Sequence, residues 1–478
     1  MIKKIVIALA AMLVIGCKNE NKSSATETPR EIAKFSPEVE ESAVIYEVNI
    51  RQYSPEGTFN AFTKDIPQLK ELGVKIIWVM PIFPISQTKR KATGGDNSKF
   101  ASEMPKEEQH KYLGSYYAVS DFKKVNPEFG TIEDFRNLVK TAHDNGMYVI
   151  LDWVPNHTGW DHTWIKQHPE YYTQNTKGEI IDPINPETGK SWGWSDVADL
   201  NYDNQGLRKE MAADMLHWIK NENIDGFRCD VASSVPLDFW QQTIPRLRKE
   251  KNIFMLAEAW EPELLKDGLF DMAYGWEAHH TMNRIAQGKN AVKDWDKFMT
   301  ENESKYSADD ILMNFVDNHD ENSWNGTIKG RLGKAEEAMT ALSYVMPGMP
   351  LIYSGNEYGL NHSLKFFEKD SIPKTKGKDW ELRAKLGKLK AENPALNGGK
   401  NKAKYSRIKT DDETNILAFI REKNDKKVVY IANFSNKPIN SKVAIKGDFT
   451  NYMTGKPMSL KDNEVITLQP FQYFILNN

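Results

Sequence analysis

From Val44 to Ser354 the sequence alternates short, β-rich apolar runs with amphipathic helical stretches, and this alternation limits the fold more than any single motif does. The expected strands are 44–52, 74–80, 148–154, 226–231, 253–259, 272–277, 311–317 and 350–354. Between them lie helical faces. Phe135, Leu138, Val139 and Ala142 fall on one face of a helix that Thr131 and Asp134 open and Gly146 ends. Leu207, Met211, Met215 and Trp218 form a second stripe. Phe59, Phe62, Ile66 and Leu69 form a third, ending at Gly73. Eight strands alternating with helices predict an α/β fold of the (β/α)8 TIM-barrel type. A doubly wound sheet would need fewer strands, and no glycine-rich phosphate loop accompanies it.

Two long insertions interrupt the pattern: 86–115, polar and irregular, and 157–204, which carries Trp160, Trp164, Trp192 and Trp194 and reads as an inserted subdomain after strand 3. From about Asn393 short alternating strands take over, at 416–421, 427–433, 442–445 and 473–476. They predict a C-terminal antiparallel β-domain of the sandwich kind. The expected domains are therefore a barrel over 43–390, including the 157–204 subdomain, and a β-sandwich over 391–478.

The N-terminus has its own logic. Lys3 and Lys4 precede an apolar run from Ile5 to Ile15 that is too short to span a bilayer and reads as a signal peptide over 1–16. Val14-Ile15-Gly16-Cys17 resembles a bacterial lipobox, which makes Cys17 a lipidation site and anchors the chain to a membrane of the cell envelope. Lys18, rather than an acidic residue, follows it and points away from retention in an inner membrane. Residues 17–42 then read as a tether. With a net charge of −3 there is no electrostatic case for nucleic acid, and no Cys/His cluster suggests zinc.

In a TIM barrel, chemistry sits where the strands end at their C-terminal face. Strand 3 runs into Asp152-Trp153-Val154-Pro155-Asn156-His157, strand 4 contains Gly226-Phe227-Arg228-Cys229-Asp230, strand 5 ends in Ala257-Glu258-Ala259-Trp260, and strand 7 in Asp317-Asn318-His319-Asp320. Arg228 and Asp230 share one side of their strand, toward the barrel axis, while Cys229 faces the helices as inert core. A single Asp at a strand end is more often a turn former, and a single Arg-x-Asp is often a plain salt bridge. Three carboxylates, an arginine and two histidines at one end of neighbouring strands are costly to bury without function. Asp230, Glu258 and Asp320 suit glycosidic bond cleavage, which needs a proton donor and a carboxylate facing an oxocarbenium-like centre. Arg228 favours an ionised Asp230, and the acid should lack such a cation; the residues alone leave the two roles open.

These segments resemble the four signatures of the α-amylase family, glycoside hydrolase family 13, in order and on the expected strands, and the likeness runs from about Val44 to the C-terminus. The resemblance implies a retaining hydrolase of α-glucosidic, mainly α-1,4, bonds in starch-type glucans. It makes Asp230 the nucleophile, Glu258 the general acid/base and Asp320 the third carboxylate. Tyr117, His157, Arg228, Asn318 and His319 become substrate-binding residues. It also implies a structural calcium near Asn156 and Asp199, and no organic cofactor. The chain departs from the pattern at Ser233 and Ser234, where lysine and histidine are common, and at Asn201, where a carboxylate is common. A transglycosylase would use the same intermediate. A non-catalytic glucan-binding lipoprotein should have lost one of the carboxylates. Endo or exo action turns on whether the two insertions block one end of the cleft.

Overall fold

The computed structural model describes residues 35–478 other than 96, 186–187 and 463. The signal peptide, Cys17 and the tether up to residue 34 lie outside the described residues. Eight parallel strands close into a barrel: β1 Val44–Val48, β2 Val74–Val79, β3 Tyr148–Trp153, β4 Gly226–Cys229, β5 Phe254–Ala257, β6 Met272–Tyr274, β7 Ile311–Asn314 and β8 Met349–Tyr353. Each strand pairs with its chain neighbours, and β1 pairs with β8. Alternation along each strand divides the core in two. Val149, Leu151, Phe227, Cys229 and Met255 face the helices. Ile45, Ile76, Ile150, Leu256, Met272 and Met313 fill the barrel interior. Gly226 has φ 148, and a Cβ there would sit 1.8 Å from the Phe254 carbonyl oxygen, so the close approach of β4 to β5 requires glycine.

Three expectations change. The first strand stops at Val48 because residues Ile50–Tyr53 turn into a helix. The stripe from Phe59 to Leu69 is two pieces, the helix Phe59–Thr63 and the 3-10 turn Ile66–Leu72, with Pro67 at the start of the second. A proline is tolerated in a first turn, whereas inside a helix it removes a backbone hydrogen bond and favours a break. The expected tether is also too long. Phe35 is buried against Tyr148 and Phe254, with ring centroids 4.9 and 5.2 Å away, and Pro37–Ser42 is a helix. Glu41 accepts the backbone N–H groups of Gly399 and Asn401. Residues 35–42 therefore belong to the folded body and close the N-terminal mouth of the barrel.

The C-terminal strands form a six-stranded antiparallel sheet and a separate two-stranded one. Ile416, Val429, Ile431, Leu468 and Leu476 pack between them. The other face of the larger sheet lies on the barrel: the Tyr430 hydroxyl donates to the Ala338 carbonyl at 2.7 Å, and the Arg421 guanidinium to that of Val345 at 3.0 Å.

Candidate active site

Register places the chemistry. Asp152 on β3 is level with Arg228 on β4, and Cys229 is level with Ala257 on β5. Asp230 and Glu258 are then the next residues of adjacent strands. Asp230 N–H donates to the Trp153 carbonyl at 2.8 Å, and Glu258 N–H to that of Cys229 at 3.0 Å. The Arg228 side chain is fully buried. Its Nη1 donates to Asp152 Oδ1 at 2.8 Å and to Asp230 Oδ1 at 2.9 Å. Its Nε donates to the Tyr274 hydroxyl at 3.1 Å. Its Nη2 lies 2.9 Å from Glu258 Oε2, close enough for an ion pair but outside hydrogen-bond geometry.

Arg228 is thus not reserved for Asp230, as the sequence reading expected; it also reaches the acid. What separates the two carboxyls is the kind of contact. Asp230 accepts a charge-assisted hydrogen bond from the guanidinium, and Glu258 accepts one from the Val231 backbone N–H at 2.8 Å. Val231 holds φ 43 and ψ 44, a left-handed conformation that costs a β-branched residue about 1–3 kcal/mol. That strained turn aims its N–H at Glu258. Burial pushes the Glu258 carboxyl up to about 7, with the fields of Asp230 and Asp320 adding to it and Arg228 opposing. Burial raises Asp230 less far, to about 6, against the pull of Arg228. The ordering suits Glu258 as proton carrier and Asp230 as carboxylate.

A second chain of contacts crosses the mouth. His319 Nδ1 lies 2.5 Å from Glu47 Oε1, and Nε2 lies 2.8 Å from the Tyr117 hydroxyl and 3.4 Å from Asp320 Oδ2. The Tyr117 hydroxyl donates on to Asp152 Oδ2 at 3.2 Å, an atom that also accepts from Trp78 Nε1 at 3.1 Å. Burial opposes charge on His319, but Asp320 and Glu47 outweigh it and push its pKa up to about 9. The imidazolium donates to Glu47 and Tyr117, and its ring stacks on that of Tyr117 at 5.6 Å. His157 is the opposite case: burial holds its pKa down to about 3, so it is a neutral donor or acceptor.

Tyr117, His157, Asp230, Glu258, His319 and Asp320 all line one cavity of about 980 Å³. Asn318 does not. Its Oδ1 accepts the Glu321 N–H at 2.8 Å and its side chain is buried, so it shapes the turn that presents His319 and Asp320 instead of facing the cavity. The motifs assign no role to Glu47 or Asp152. The signal was present: Glu47 sits at an inward position of an otherwise apolar strand, where an unpaired charge is expensive.

The donors near Asn156 and Asp199 do not fit calcium, which takes six to eight oxygens. The Asn156 carbonyl accepts the Leu200 N–H, the Pro155 carbonyl accepts the Tyr202 hydroxyl at 2.7 Å, and Asn201 Oδ1 accepts the Asp203 N–H at 3.0 Å. The remaining carboxyl, Asp199, is pushed up to about 6 by burial, with the field of Asp182 adding to it and a hydrogen bond from Thr173 opposing. Among the described residues no three His, Cys, Asp or Glu side chains gather where one ion could be held.

Comparison with known proteins agrees with this geometry. The family model described as "Alpha amylase, catalytic domain" matches residues 21–426, and "Maltogenic Amylase, C-terminal domain" matches 405–475. The chain is 23% identical to α-amylase MalA of Haloarcula japonica over 435 residues, covering 88% of this chain and 59% of that protein. It is 26% identical to α-amylase 3 of Dictyoglomus thermophilum over 456 residues, covering 82% of this chain and 85% of the relative. A noncanonic maltogenic α-amylase, AmyB from Thermotoga neapolitana, superposes with a TM-score of 0.79 at 25% identity, covering 91% of this chain and 98% of its own. Barrel, strand-end carboxylates and family model converge, and the chain belongs to the α-amylase family of glycoside hydrolases.

Proposed function

We propose that this enzyme hydrolyses α-1,4-glucosidic bonds of starch-type glucans with retention of configuration. The observation that carries the reading is the pair Asp230 and Glu258, neighbours on adjacent strands and bound to one guanidinium but held by different donors. Arg228 occupies Asp230 Oδ1, leaving Oδ2 to attack the anomeric carbon. The Val231 N–H occupies Glu258 Oε2, leaving Oε1 to carry the proton to the glycosidic oxygen. As that carbon–oxygen bond breaks, the leaving chain departs as an alcohol and the sugar is esterified to Asp230. Glu258, now ionised, takes a proton from water; the water oxygen attacks the anomeric carbon and Asp230 is released. Asp320 and the charged His319 are placed to bind sugar hydroxyls, and the Tyr117 ring to lie against the sugar face.

The test is proton NMR of maltoheptaose digestion in the first minutes, with pullulan and dextran as controls. The α-anomer should appear first, from maltoheptaose. Initial β-anomer would overturn retention, and cleavage of dextran alone would overturn the bond type. Products longer than the substrate would identify transfer in place of hydrolysis.

We also propose, on the lipobox sequence alone, that Cys17 is acylated and anchors the enzyme in the cell envelope. Labelled palmitate should enter the wild-type chain and not Cys17→Ser.

A further inference from the structure

The insertion 86–115 does more than fringe the cleft. Its first half is a hairpin in which Lys91 pairs with Phe100 and Ala92 N–H donates to the Lys99 carbonyl at 2.8 Å. On one side Lys91 Nζ donates to the Gly193 carbonyl at 2.8 Å and pairs with Asp196 at 3.2 Å, in the second insertion. On the other side Gly94 lies against Trp324; a Cβ there would be 2.6 Å from the indole ring and would push it aside. Trp324 packs against Phe366 at 5.2 Å, and the Leu113 N–H donates to the Phe367 carbonyl at 2.6 Å. A continuous bridge therefore runs across the cleft, from the Trp192–Trp194 stack to the loop after β8.

Chemistry says which end the bridge closes. The leaving chain lies beside its proton donor, Glu258, so that chain extends past Ser233 and Trp260. This end is open. Beyond Trp260 and Trp276, which line both, the surface continues into a second groove of about 240 Å³. The bridge is at the other end. It abuts the residues around the attacked sugar: Trp194 meets the His157 ring at 5.9 Å, and Trp324 follows Asp320 by four residues. The closed end presents the half-exposed indoles of Trp192 and Trp324 for a sugar ring, held in place by the buried Lys91–Asp196 pair.

From this we infer that the enzyme is exo-acting: it accepts the non-reducing end of an α-glucan, stops it against the Lys91–Gly94–Trp324 bridge, and releases short products of fixed length. The inference rests on the α-glucan hydrolase reading above. Its test compares p-nitrophenyl maltoheptaoside with the same compound carrying an ethylidene acetal on its non-reducing glucose, using the full chain and reading shortened p-nitrophenyl products by mass spectrometry. The blocked substrate should be cleaved at least about twentyfold more slowly, since the acetal collides with a wall in place of solvent. Rates within about threefold of each other overturn exo action while leaving the hydrolase reading intact. Cleavage of neither overturns both. Lys91→Ala, which frees the hairpin from the second insertion, should narrow the ratio by about fivefold or more. An unmoved ratio in that variant, folded by circular dichroism, overturns the bridge as its cause.

Discussion

At its N-terminal mouth the barrel is filled by Phe35, Ile45, Ile76, Phe254, Met349 and Leu351, all apolar and buried. At its C-terminal mouth the same strands carry Glu47, Asp152, Arg228, Asp230 and Glu258, with Asp320 and His319 following β7. A few residues along one strand separate the two: on β1, Ile45 points into the floor and Glu47 into the site. On the floor, burial of apolar area stabilises the fold directly. At the site, burial costs stability: desolvation raises the Asp152, Asp230 and Glu258 carboxyls toward neutrality, their mutual repulsion adds to it, and Arg228 opposes it. One end holds the fold and the other spends part of that stability on chemistry, so changes at the two ends should have opposite signatures.

The sharpest separation comes from Asp230→Asn. Turnover of maltoheptaose should fall at least about 10⁴-fold, as expected when a nucleophile is lost. The thermal midpoint should hold or rise, because one of the crowded carboxylates is gone. A large fall in midpoint together with activity would erase the distinction between the two mouths.

Glu258→Gln should lower kcat by about 10²–10⁴-fold. It also tests the titration. Wild-type kcat/KM should fall as pH drops through about 6, where Asp230 takes up a proton, and as it rises through about 7, where Glu258 loses one. These limbs belong to the pair acting together. Carboxyls raised in the folded state bind protons more tightly than in the unfolded chain. Their share of stability is therefore present at low pH and lost as pH climbs from about 4 to about 7. Glu258→Gln should raise the midpoint by about 1–3 °C at pH 8 and leave it unchanged at pH 4. A variant that keeps the wild-type alkaline limb would remove Glu258 as its source.

Phe35→Ala strikes the other mouth. Loss of that ring should cost about 3–5 kcal/mol, read as a lower unfolding midpoint, with kcat/KM unchanged at a temperature where both proteins are folded. An equal loss of kcat/KM would show the floor and the site to be coupled.

Glu47→Gln lies between, on a floor strand but inside the site. His319 would lose the negative charge facing its Nδ1, its pKa should fall from about 9, and kcat/KM should drop by about tenfold, for about 1–3 kcal/mol of lost interaction. The His319 ring protons, followed by NMR, check the shift. An unmoved titration would deny Glu47 its role.

The sequence made the second mouth legible and the first nearly invisible. Strand-end residues such as Asp230 and Glu258 stand out because charge interrupts apolar runs at one period. Phe35 did not, because a lone aromatic among polar residues reads as tether until the Tyr148 and Phe254 rings that receive it are known. Lys91 and Gly94 fared likewise: a loop has no period, and their partners Asp196 and Trp324 lie far along the chain. Asn318 shows the converse, since a motif fixes a residue's place without fixing which way its amide faces, and here Oδ1 turns to the Glu321 N–H. Arg228 was read as one partner's cation although a guanidinium has several N–H groups to share.

The smallest effect concerns calcium. Family resemblance places an ion near Asn156 and Asp199, yet there the Asn156 and Pro155 carbonyls and the Asn201 amide oxygen already accept from the Leu200 N–H, the Tyr202 hydroxyl and the Asp203 N–H, which leaves the Asn156 amide oxygen and the Asp199 carboxyl against the six to eight oxygens calcium takes. Arg208 donates to the Tyr202 carbonyl and pairs with Asp238 at 2.7 Å, so a guanidinium holds this corner. Binding to the folded state alone stabilises in proportion to the logarithm of ligand concentration, so a calcium site would reveal itself as a midpoint that climbs with added calcium. Dialysis against EDTA followed by about 1 mM calcium, a concentration about a thousandfold above a micromolar Kd, would then return about 4 kcal/mol. We expect the midpoint to stay within about 1 °C throughout, and Arg208→Ala to lower it by more than chelation does. A calcium-dependent rise that Asp199→Asn abolishes would put the ion back and make the hydrogen bonds at Asn156 and Pro155 the ones that give way.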